Sequence, residues 1–331
     1  MEEGFALWAN PSSPHAEGRK AKQALEDARD RIKRALGWDG EVIFTSGASE
    51  ALAIALRQSK AEHFAASTAE HDAVFANGNG TFHAALKVGQ NGRIGRGELY
   101  EAMGVVGTSP DDERSPSLTF IQHVNSETGA ILNVDAMVKI AGNFPEAKIL
   151  SDCSQSAGKL PLPSAQMVVL SAHKLGGPIG IGALLVRDYG MLEPMGGHER
   201  GYRRGTENVP AALGFAAAIE AGAWQTTRQQ RAQFLDQFGE ARLSFPNQVD
   251  YIGALTHPAL SAQALLIRLD AKGFAVSAGS ACSSGTLKKS RVLDAFGVSD
   301  DVAARTIRVS LGWNTTQEEL EQFTEAWKSL I

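Results

Sequence analysis

The chain has 331 residues, of which 43% are hydrophobic and 21% are charged, as in a globular protein with one large core and a smaller second domain. Its formal net charge of −5 argues against electrostatically driven binding of nucleic acid, and no apolar run reaches the about 18 residues that a membrane-spanning helix needs. The acidic start, Met1 to Gly4, has no basic segment followed by an apolar one, so we predict no signal peptide and expect a cytoplasmic protein.

The predicted elements of the first half alternate between helices and short apolar strands. Helices are predicted at residues 17–36 and 51–57, where alanine, leucine and isoleucine recur at helical spacing. Apolar runs predict strands at residues 41–44, 64–66, 85–88, 118–121, 148–150, 167–170 and 182–186. Strands that are separated by helices predict an α/β domain, in which helices flank a mostly parallel sheet of seven strands.

The second half predicts a smaller domain. We predict a helical connector at residues 210–238, a β-like run at 264–269 that a helix would also explain, a strand at 306–311 and a closing helix at 317–330. The domain prediction is a large domain at residues 10–225 and a smaller α+β domain at residues 226–331, with residues 1–9 packing near the smaller one.

A lysine and an aspartate stand directly after two of the predicted strands. Lys174 follows the run 167–170 in a Ser-Ala-His-Lys segment, and Asp152 follows the run 148–150. A lysine that forms a Schiff base and a carboxylate that holds a pyridinium nitrogen are what pyridoxal phosphate (PLP) requires. A solvated surface lysine is the alternative, since burying an ammonium is costly.

Three further polar segments follow predicted strands, where parallel sheets bind ligands. Residues 45–50 open a helix with small residues, so that backbone amides and the Ser49 hydroxyl can approach a phosphate; a plain helix cap is the alternative. His71 suits stacking on a cofactor ring and proton transfer, although a surface or capping histidine is as simple an explanation. Residues 123–129 form either a polar binding loop or an Asn/Gly turn.

Three segments nearer the carboxyl terminus also suggest binding. Residues 196–208 combine glycines, charges and Thr206, which favours a phosphate-binding loop over a flexible connector. Arg308 alternates with apolar neighbours in a late strand and is either solvated or a fork for a carboxylate. Cys282 lies in a Gly/Ser loop where we expect an accessible thiol, whereas Cys153 is predicted to be structural. Two cysteines favour a reducing compartment over a disulfide framework.

Together these segments resemble the cysteine desulfurases of the NifS/IscS type, in the class V aminotransferase group of PLP enzymes. The resemblance implies the PLP-dependent transferase fold type I and a homodimer. The matching segments keep the family's order and span most of the chain, at residues 10–15, 45–50, 70–71, 123–129, 152–158, 171–182, 196–208, 277–282 and 307–312.

The resemblance also implies a role for individual residues. Lys174 would bind the cofactor covalently, Asp152 would keep its pyridine nitrogen protonated and His71 would stack on the ring. Arg308 and Asn10 would bind the substrate, and Cys282 would attack the sulfur of L-cysteine, leaving a persulfide on the enzyme and releasing alanine. The other implied cofactor contacts are Ala48, Ser49, Asn125, Ser126, Gln155, Ser171, His173 and, from the neighbouring subunit, Thr206.

The sequence departs from the family pattern in three places. It lacks the Leu-Asp-x-x-Ala-Thr-Thr-like segment that precedes Asn-Pro-Ser-Ser in the family, so we expect either a reduced small domain or a chain without its true start. Ser126 replaces the second asparagine of the His-Val-Asn-Asn-Glu motif with a shorter side chain. The stretch between Tyr251 and Leu265 is expected to be too short for a β-run that the family carries there.

The predicted function is PLP-dependent desulfuration of L-cysteine, which would supply sulfur for iron-sulfur cluster assembly or thiolation through an acceptor or scaffold protein. Selenocysteine lyase and cysteine-sulfinate desulfinase are the alternatives among enzymes, and a non-catalytic sulfur-relay scaffold is the alternative of another class. No metal site and no nucleic-acid or membrane partner is predicted.

Overall fold

The computed structural model describes residues 1–7, 9–78, 80–103, 116–279 and 290–330. The helices, in chain order, are α1 (Glu2–Ala6), α2 (Ala16–Leu36), α3 (Ala48–Gln58), α4 (Asp72–Gly78), α5 (Arg96–Ala102), α6 (Val134–Ala141), α7 (Val209–Ala221), α8 (Arg228–Asp236), α9 (Ala262–Asp270), α10 (Arg291–Ala295), α11 (Asp300–Ala303) and α12 (Gln317–Lys328). The strands are β1 (Glu41–Thr45), β2 (His63–Ser67), β3 (Phe82–Leu86), β4 (Ser117–Phe120), β5 (Ala147–Asp152), β6 (Met167–Ser171), β7 (Gly182–Val186), β8 (Ile252–Thr256) and β9 (Thr306–Ser310).

The chain divides into two compact units. The first comprises Met1–Leu86, Arg96–His123 and Val134–Gly222, and the second comprises Lys87–Gly95, Val124–Asn133 and Ala223–Ile331. The division differs from the predicted one because two short internal segments belong to the second unit. The amino terminus differs as well, since α1 packs on α7 within the first unit, with Gly4 against Pro210.

The first unit is built on a seven-stranded sheet with the order β1-β7-β6-β5-β4-β2-β3. Neighbouring strands run parallel except at β7, which is antiparallel to both β1 and β6. The predicted mostly parallel, seven-stranded α/β fold is therefore confirmed.

Helices cover both faces of this sheet, as the burial of successive strand residues shows. In β6, Met167 and Val169 belong to the apolar cluster that includes α3, while Val168 and Leu170 point to the opposite face and are also fully buried. Strands that are buried on both faces have continuous apolar sequences instead of an alternating pattern, which explains why these runs were readable from the sequence.

The second unit carries the two-stranded antiparallel sheet of β8 and β9 together with α8 to α12. The run at residues 264–269 lies in α9, so its β-like interpretation is wrong and the helical alternative is confirmed. Ser261 caps that helix by accepting from the Ala264 amide at 3.2 Å, and Leu265 and Leu269 are buried one helical turn apart. The expected absence of a β-run after Tyr251 is also wrong, since all five residues of β8 pair with β9.

Within the described residues, no helix combines the length and the apolar composition that crossing a bilayer requires.

Candidate active site

The predicted cofactor residues of the first unit gather at the carboxyl-terminal edge of its sheet. Thr45 at the end of β1 and Ser171 at the end of β6 both pair with Gly182, the first residue of β7. A Cβ atom on Gly182 would lie 2.8 Å from the Cα of Gly47, so glycine is required for β7 to begin there. The turns that follow β1 and β6 are thus held on either side of one glycine.

Lys174 lies in a short 3-10 turn, Ala172–Leu175, directly after β6. The turn ends at Gly176, whose φ of 81° lies in the left-handed region and whose amide donates to the carbonyl of Ala172. The Lys174 side chain is exposed. Ser171 Oγ and His173 Nδ1 are 3.0 Å apart, and burial together with the charge of Lys174 lowers the pKa of His173.

Asp152 ends β5 and is almost completely buried, with 9% of its surface exposed. Its Oδ1 accepts from the Ser154 amide at 2.9 Å, and its backbone carbonyl accepts from the His123 amide at 3.0 Å. Gln155 stands half-buried in the same turn. Because β5 and β6 are adjacent and parallel, Asp152 and the Lys174 turn lie at the same edge of the sheet.

His71 stands directly before α4 in the segment that follows β2, and its position depends on a residue that the sequence analysis missed. The imidazole is exposed, and its Nδ1 accepts from the Ala73 amide at 3.1 Å at the start of α4. The preceding Glu70 is fully buried, and its Oε1 bonds Ser67 Oγ at 2.5 Å and the Gln122 amide at 2.8 Å. Glu70 therefore joins the ends of β2 and β4, and an acidic residue directly before His71 was the only sequence signal for this.

The predicted phosphate residues lie around α3 and the loop at residues 196–208. Ala48 and Ser49 form the first turn of α3, whose N-cap residue, Gly47, offers no side-chain acceptor for the first amides. Arg203 Nε contacts Glu50 Oε1 of α3 at 3.1 Å, so an ion pair holds the loop against this helix. Thr206 of that loop is exposed.

Asn10 lies in a turn near the amino terminus. Its side chain is exposed, and its Oδ1 accepts from the Ser12 amide at 2.9 Å. This contact orders the turn and leaves the predicted substrate role of Asn10 a prediction.

The second unit contains the predicted carboxylate-binding arginine. Arg308 in β9 donates from Nη1 to the carbonyl of Ser126 at 3.1 Å and from Nη2 to Ser277 Oγ at 2.9 Å. Ser277 and Arg308 also exchange both backbone hydrogen bonds, at 2.6 and 3.1 Å. The guanidinium group is thus oriented from two sides, and Ser277 is a second residue that the sequence analysis missed.

Asn125 is fully buried and organises its own loop. Its Oδ1 accepts from the amides of Glu127 and Thr128 at 2.9 and 2.8 Å and from the Thr128 hydroxyl at 2.9 Å. Such a side chain fixes a turn by replacing backbone acceptors. The predicted cofactor contacts of Asn125 and of the half-buried Ser126 remain predictions.

The structure describes only one of the two cysteines, Cys153. Cys282, the predicted sulfur acceptor, lies outside the described residues. Cys153 is fully buried, and burial raises the pKa of its thiol to about 12. A thiol in that environment stays protonated and unreactive, which agrees with a structural role.

Comparison with known proteins agrees with this fold and identifies the family. The sequence matches the aminotransferase class-V family over residues 5–323. The chain therefore belongs to the class-V aminotransferase family.

The named relatives indicate which group within that family the chain resembles. The chain is 34% identical to the cysteine desulfurase IscS of Proteus mirabilis, over 98% of this chain and 86% of the relative, and 31% identical to that of Dictyoglomus turgidum, over 98% and 88%. A NifS-like protein from Rickettsia africae superposes with a TM-score of 0.85 at 26% identity, covering 99% of this chain and 94% of that one. SspA, solved in complex with cysteine, superposes with a TM-score of 0.77 at 28% identity, covering 96% of both chains. The family group is that of the cysteine desulfurases.

Proposed function

We propose that this chain is a PLP-dependent enzyme that converts L-cysteine to L-alanine and transfers the sulfur to Cys282. The observation that carries the proposal is the placement of Lys174 and Asp152 after two adjacent parallel strands, in a chain whose relatives are cysteine desulfurases. The proposal adds to the family assignment the cofactor, the residues and their roles.

The chemistry of the described groups fits PLP. An exposed lysine amine after β6 suits the cofactor's aldehyde, and a buried carboxylate after β5 suits a protonated pyridine nitrogen. The amides that begin α3, together with the hydroxyls of Ser49 and Ser171, suit the phosphate, because a helix N-terminus favours an anion. When bound, PLP supplies an electron sink that weakens bonds at the substrate's α- and β-carbons.

The chain's own residues then have separable tasks. Lys174 holds the cofactor and moves the proton at the substrate α-carbon, and Asp152 keeps the ring nitrogen protonated. Arg308 binds the substrate carboxylate through its planar fork of donors. Gln155 bonds the cofactor's phenolic oxygen, and His71 covers the ring.

Cys282 accepts the sulfur. Its thiolate forms a bond with the substrate sulfur while the substrate's Cβ–S bond breaks, and the electron pair of that bond stays on the carbon. A proton added to this carbon completes alanine, and the enzyme keeps the sulfur as a persulfide. The persulfide then passes to an acceptor or scaffold protein for cluster assembly or thiolation.

Two substitutions test the proposal. PLP-loaded wild-type protein with L-cysteine and a reductant should release alanine and sulfide. Lys174→Ala should abolish alanine formation, because no amine remains to hold the cofactor or move the proton. Cys282→Ser should keep the PLP absorption spectrum but lose turnover, because a serine hydroxyl cannot accept sulfur. Wild-type rates from the serine variant would refute the role of Cys282.

The same assay separates the neighbouring functions. Selenocysteine and cysteine sulfinate can release selenium or sulfite without a thiol nucleophile, so Cys282→Ala should lose only the reaction with cysteine. A variant that loses all three reactions equally would contradict this assignment. A sulfur-relay scaffold would bind its partner without repeated alanine release, so steady turnover without a partner excludes it.

We also propose a homodimer in which Thr206 completes the neighbouring subunit's phosphate site. The exposure of Thr206 and the ion pair that holds its loop on α3 support this arrangement. Sedimentation velocity should show a dimer that loses PLP upon dilution to monomer. A stable monomer that retains its cofactor would refute the shared site.

A further inference from the structure

Lys159 is a lysine beside the candidate site that the proposed reaction does not use. It closes the turn after β5 that begins at Asp152, and its side chain is half-buried. Its Nζ donates to the backbone carbonyl of Lys174 at 2.9 Å. One side chain therefore connects the turn that carries Asp152 to the turn that carries Lys174.

The backbone carbonyl of Lys174, which Lys159 binds, lies at the end of a short helical turn. Lys174 belongs to a 3-10 turn of only four residues, and the last carbonyls of a helical turn have no partner within it. A cation beside such carbonyls is favoured by the dipole of the turn. The amide of Gly176 closes the turn on Ala172, and Lys159 reaches the carbonyl of Lys174 itself.

The electrostatic setting of Lys159 is also unusual. Burial and the charge of Lys174 lower the pKa of the Lys159 amine to about 8. Burial and the charge of Lys174 also lower the pKa of the neighbouring His173. The carboxylate of Asp152 stands at the end of β5, directly before the turn that Lys159 closes. The amines of Lys159 and Lys174 are close enough for their charges to interact, and a hydrogen bond brings the Lys159 side chain onto the backbone of Lys174 itself.

We infer that Lys159 is a positioning residue for Lys174: it holds the Lys174 turn through the backbone carbonyl and keeps a second positive charge beside the reacting amine. The inference rests on the proposed function, because it assumes that Lys174 holds PLP. It goes beyond that function because it makes Lys159 responsible for the orientation and the proton affinity of the Lys174 amine.

The test compares Lys159→Met, Lys159→Gln and Lys159→Arg in the PLP-loaded protein. Lys148→Met is the matched control, since Lys148 is also half-buried and its amine also donates to a backbone carbonyl, that of Pro145, at the opposite end of β5. The first readout is a pH titration of the cofactor's visible absorption, which reports protonation of the nitrogen that Lys174 contributes. The second is the steady-state rate of alanine formation.

Loss of the neighbouring charge should make the Lys174 nitrogen easier to protonate. We expect the titration midpoint to rise by about one pH unit in Lys159→Met and Lys159→Gln, which is a tenfold change in the proton equilibrium. The kcat should fall about tenfold with a KM for cysteine within about twofold of wild type, because Lys159 contacts the turn of Lys174 and not the substrate carboxylate. Lys159→Arg, which keeps the charge and the donor, should restore both values.

Each result decides the matter. Lys159→Met and Lys159→Gln variants whose midpoint and kcat equal those of Lys148→Met would overturn the inference, as would a lower melting temperature with an unchanged midpoint. If Lys159→Met does not fold, the glutamine and arginine variants give the comparison. If wild-type protein binds PLP but releases no alanine, the proposed reaction is refuted, and the pH titration of the cofactor still tests the inference about Lys159. If wild-type protein binds no PLP, the proposed function and the inference are both overturned.

Discussion

The ion pair between Arg29 of α2 and Glu199 of the loop at residues 196–208 gives a sharp stability prediction. Both residues are only 3% exposed. Arg29 donates from Nη1 to Glu199 Oε2 at 2.9 Å and from Nη2 to Oε1 at 3.3 Å, and the Phe44 amide donates to Oε2 at 2.8 Å. The pair fastens the loop that contains Thr206 to α2 and β1.

Substitution of Arg29 by methionine removes both hydrogen bonds to Glu199 and leaves the buried carboxylate with its backbone donor. An uncompensated buried charge costs about 3–5 kcal/mol, so the free energy of unfolding should fall by that amount. Arg31→Met is the control on the same helix, because Arg31 pairs with Glu220 at 2.6 Å on the exposed side. An exposed pair contributes about 0–1 kcal/mol, and urea unfolding followed by tryptophan fluorescence separates the two values.

The pH dependence gives the prediction a second test. Burial raises the pKa of Glu199 even though Arg29 lowers it, so removal of Arg29 takes away an influence that keeps the carboxyl ionised. A carboxyl with a raised pKa binds its proton more tightly in the folded state, so it stabilises the fold at low pH and loses this contribution as the pH rises through the folded pKa. The deficit of Arg29→Met relative to wild type should therefore shrink as the pH falls.

A double variant completes the test. Arg29→Met combined with Glu199→Gln removes the buried charge but keeps an acceptor for the Phe44 amide, and most of the lost stability should return. A deficit of less than about 1 kcal/mol in Arg29→Met, or one that is equal at acidic and neutral pH, would refute the reasoning.

Three further predictions concern the candidate site. Ser277→Ala should raise the KM for cysteine about tenfold with a nearly unchanged kcat, because Arg308 loses a hydrogen bond that orients it. Steady-state kinetics compare this variant with Ser310→Ala, a control on the same strand as Arg308, and equal KM values for the two variants would contradict the prediction. Native protein should take up one alkyl group from iodoacetamide, and Cys282→Ser none, because Cys153 is buried with a pKa of about 12; intact mass gives the count, and rapid labelling of the serine variant would show that Cys153 is accessible. Glu70→Ala should lower the free energy of unfolding by about 2 kcal/mol, since two buried donors lose their acceptor, and Glu70→Gln should recover most of it; equal urea midpoints for the two variants would refute a role for the acceptor oxygen.

The sequence was most informative where chemistry follows local pattern. Lys174 and Asp152 stand directly after apolar runs, and a polar group after a parallel strand faces the ligand-binding edge whatever the distant chain does. The same reasoning failed at residues 264–269, where a short apolar run fits a strand or a helix equally well. In the structure this run is helical: Ser261 caps α9, and the buried side chains lie on one face of the helix.

By itself the sequence determined the α/β class, the strands buried on both faces and the polar groups at their ends, because these depend on residues that are adjacent or one helical turn apart. Only the tertiary structure decided which strand ends meet. It placed β5 beside β6, so that Lys159 reaches the carbonyl of Lys174, and β2 beside β4, so that Glu70 reaches the Gln122 amide. Strand order depends on pairing between distant segments and on the packing of the whole sheet, and no local pattern encodes either.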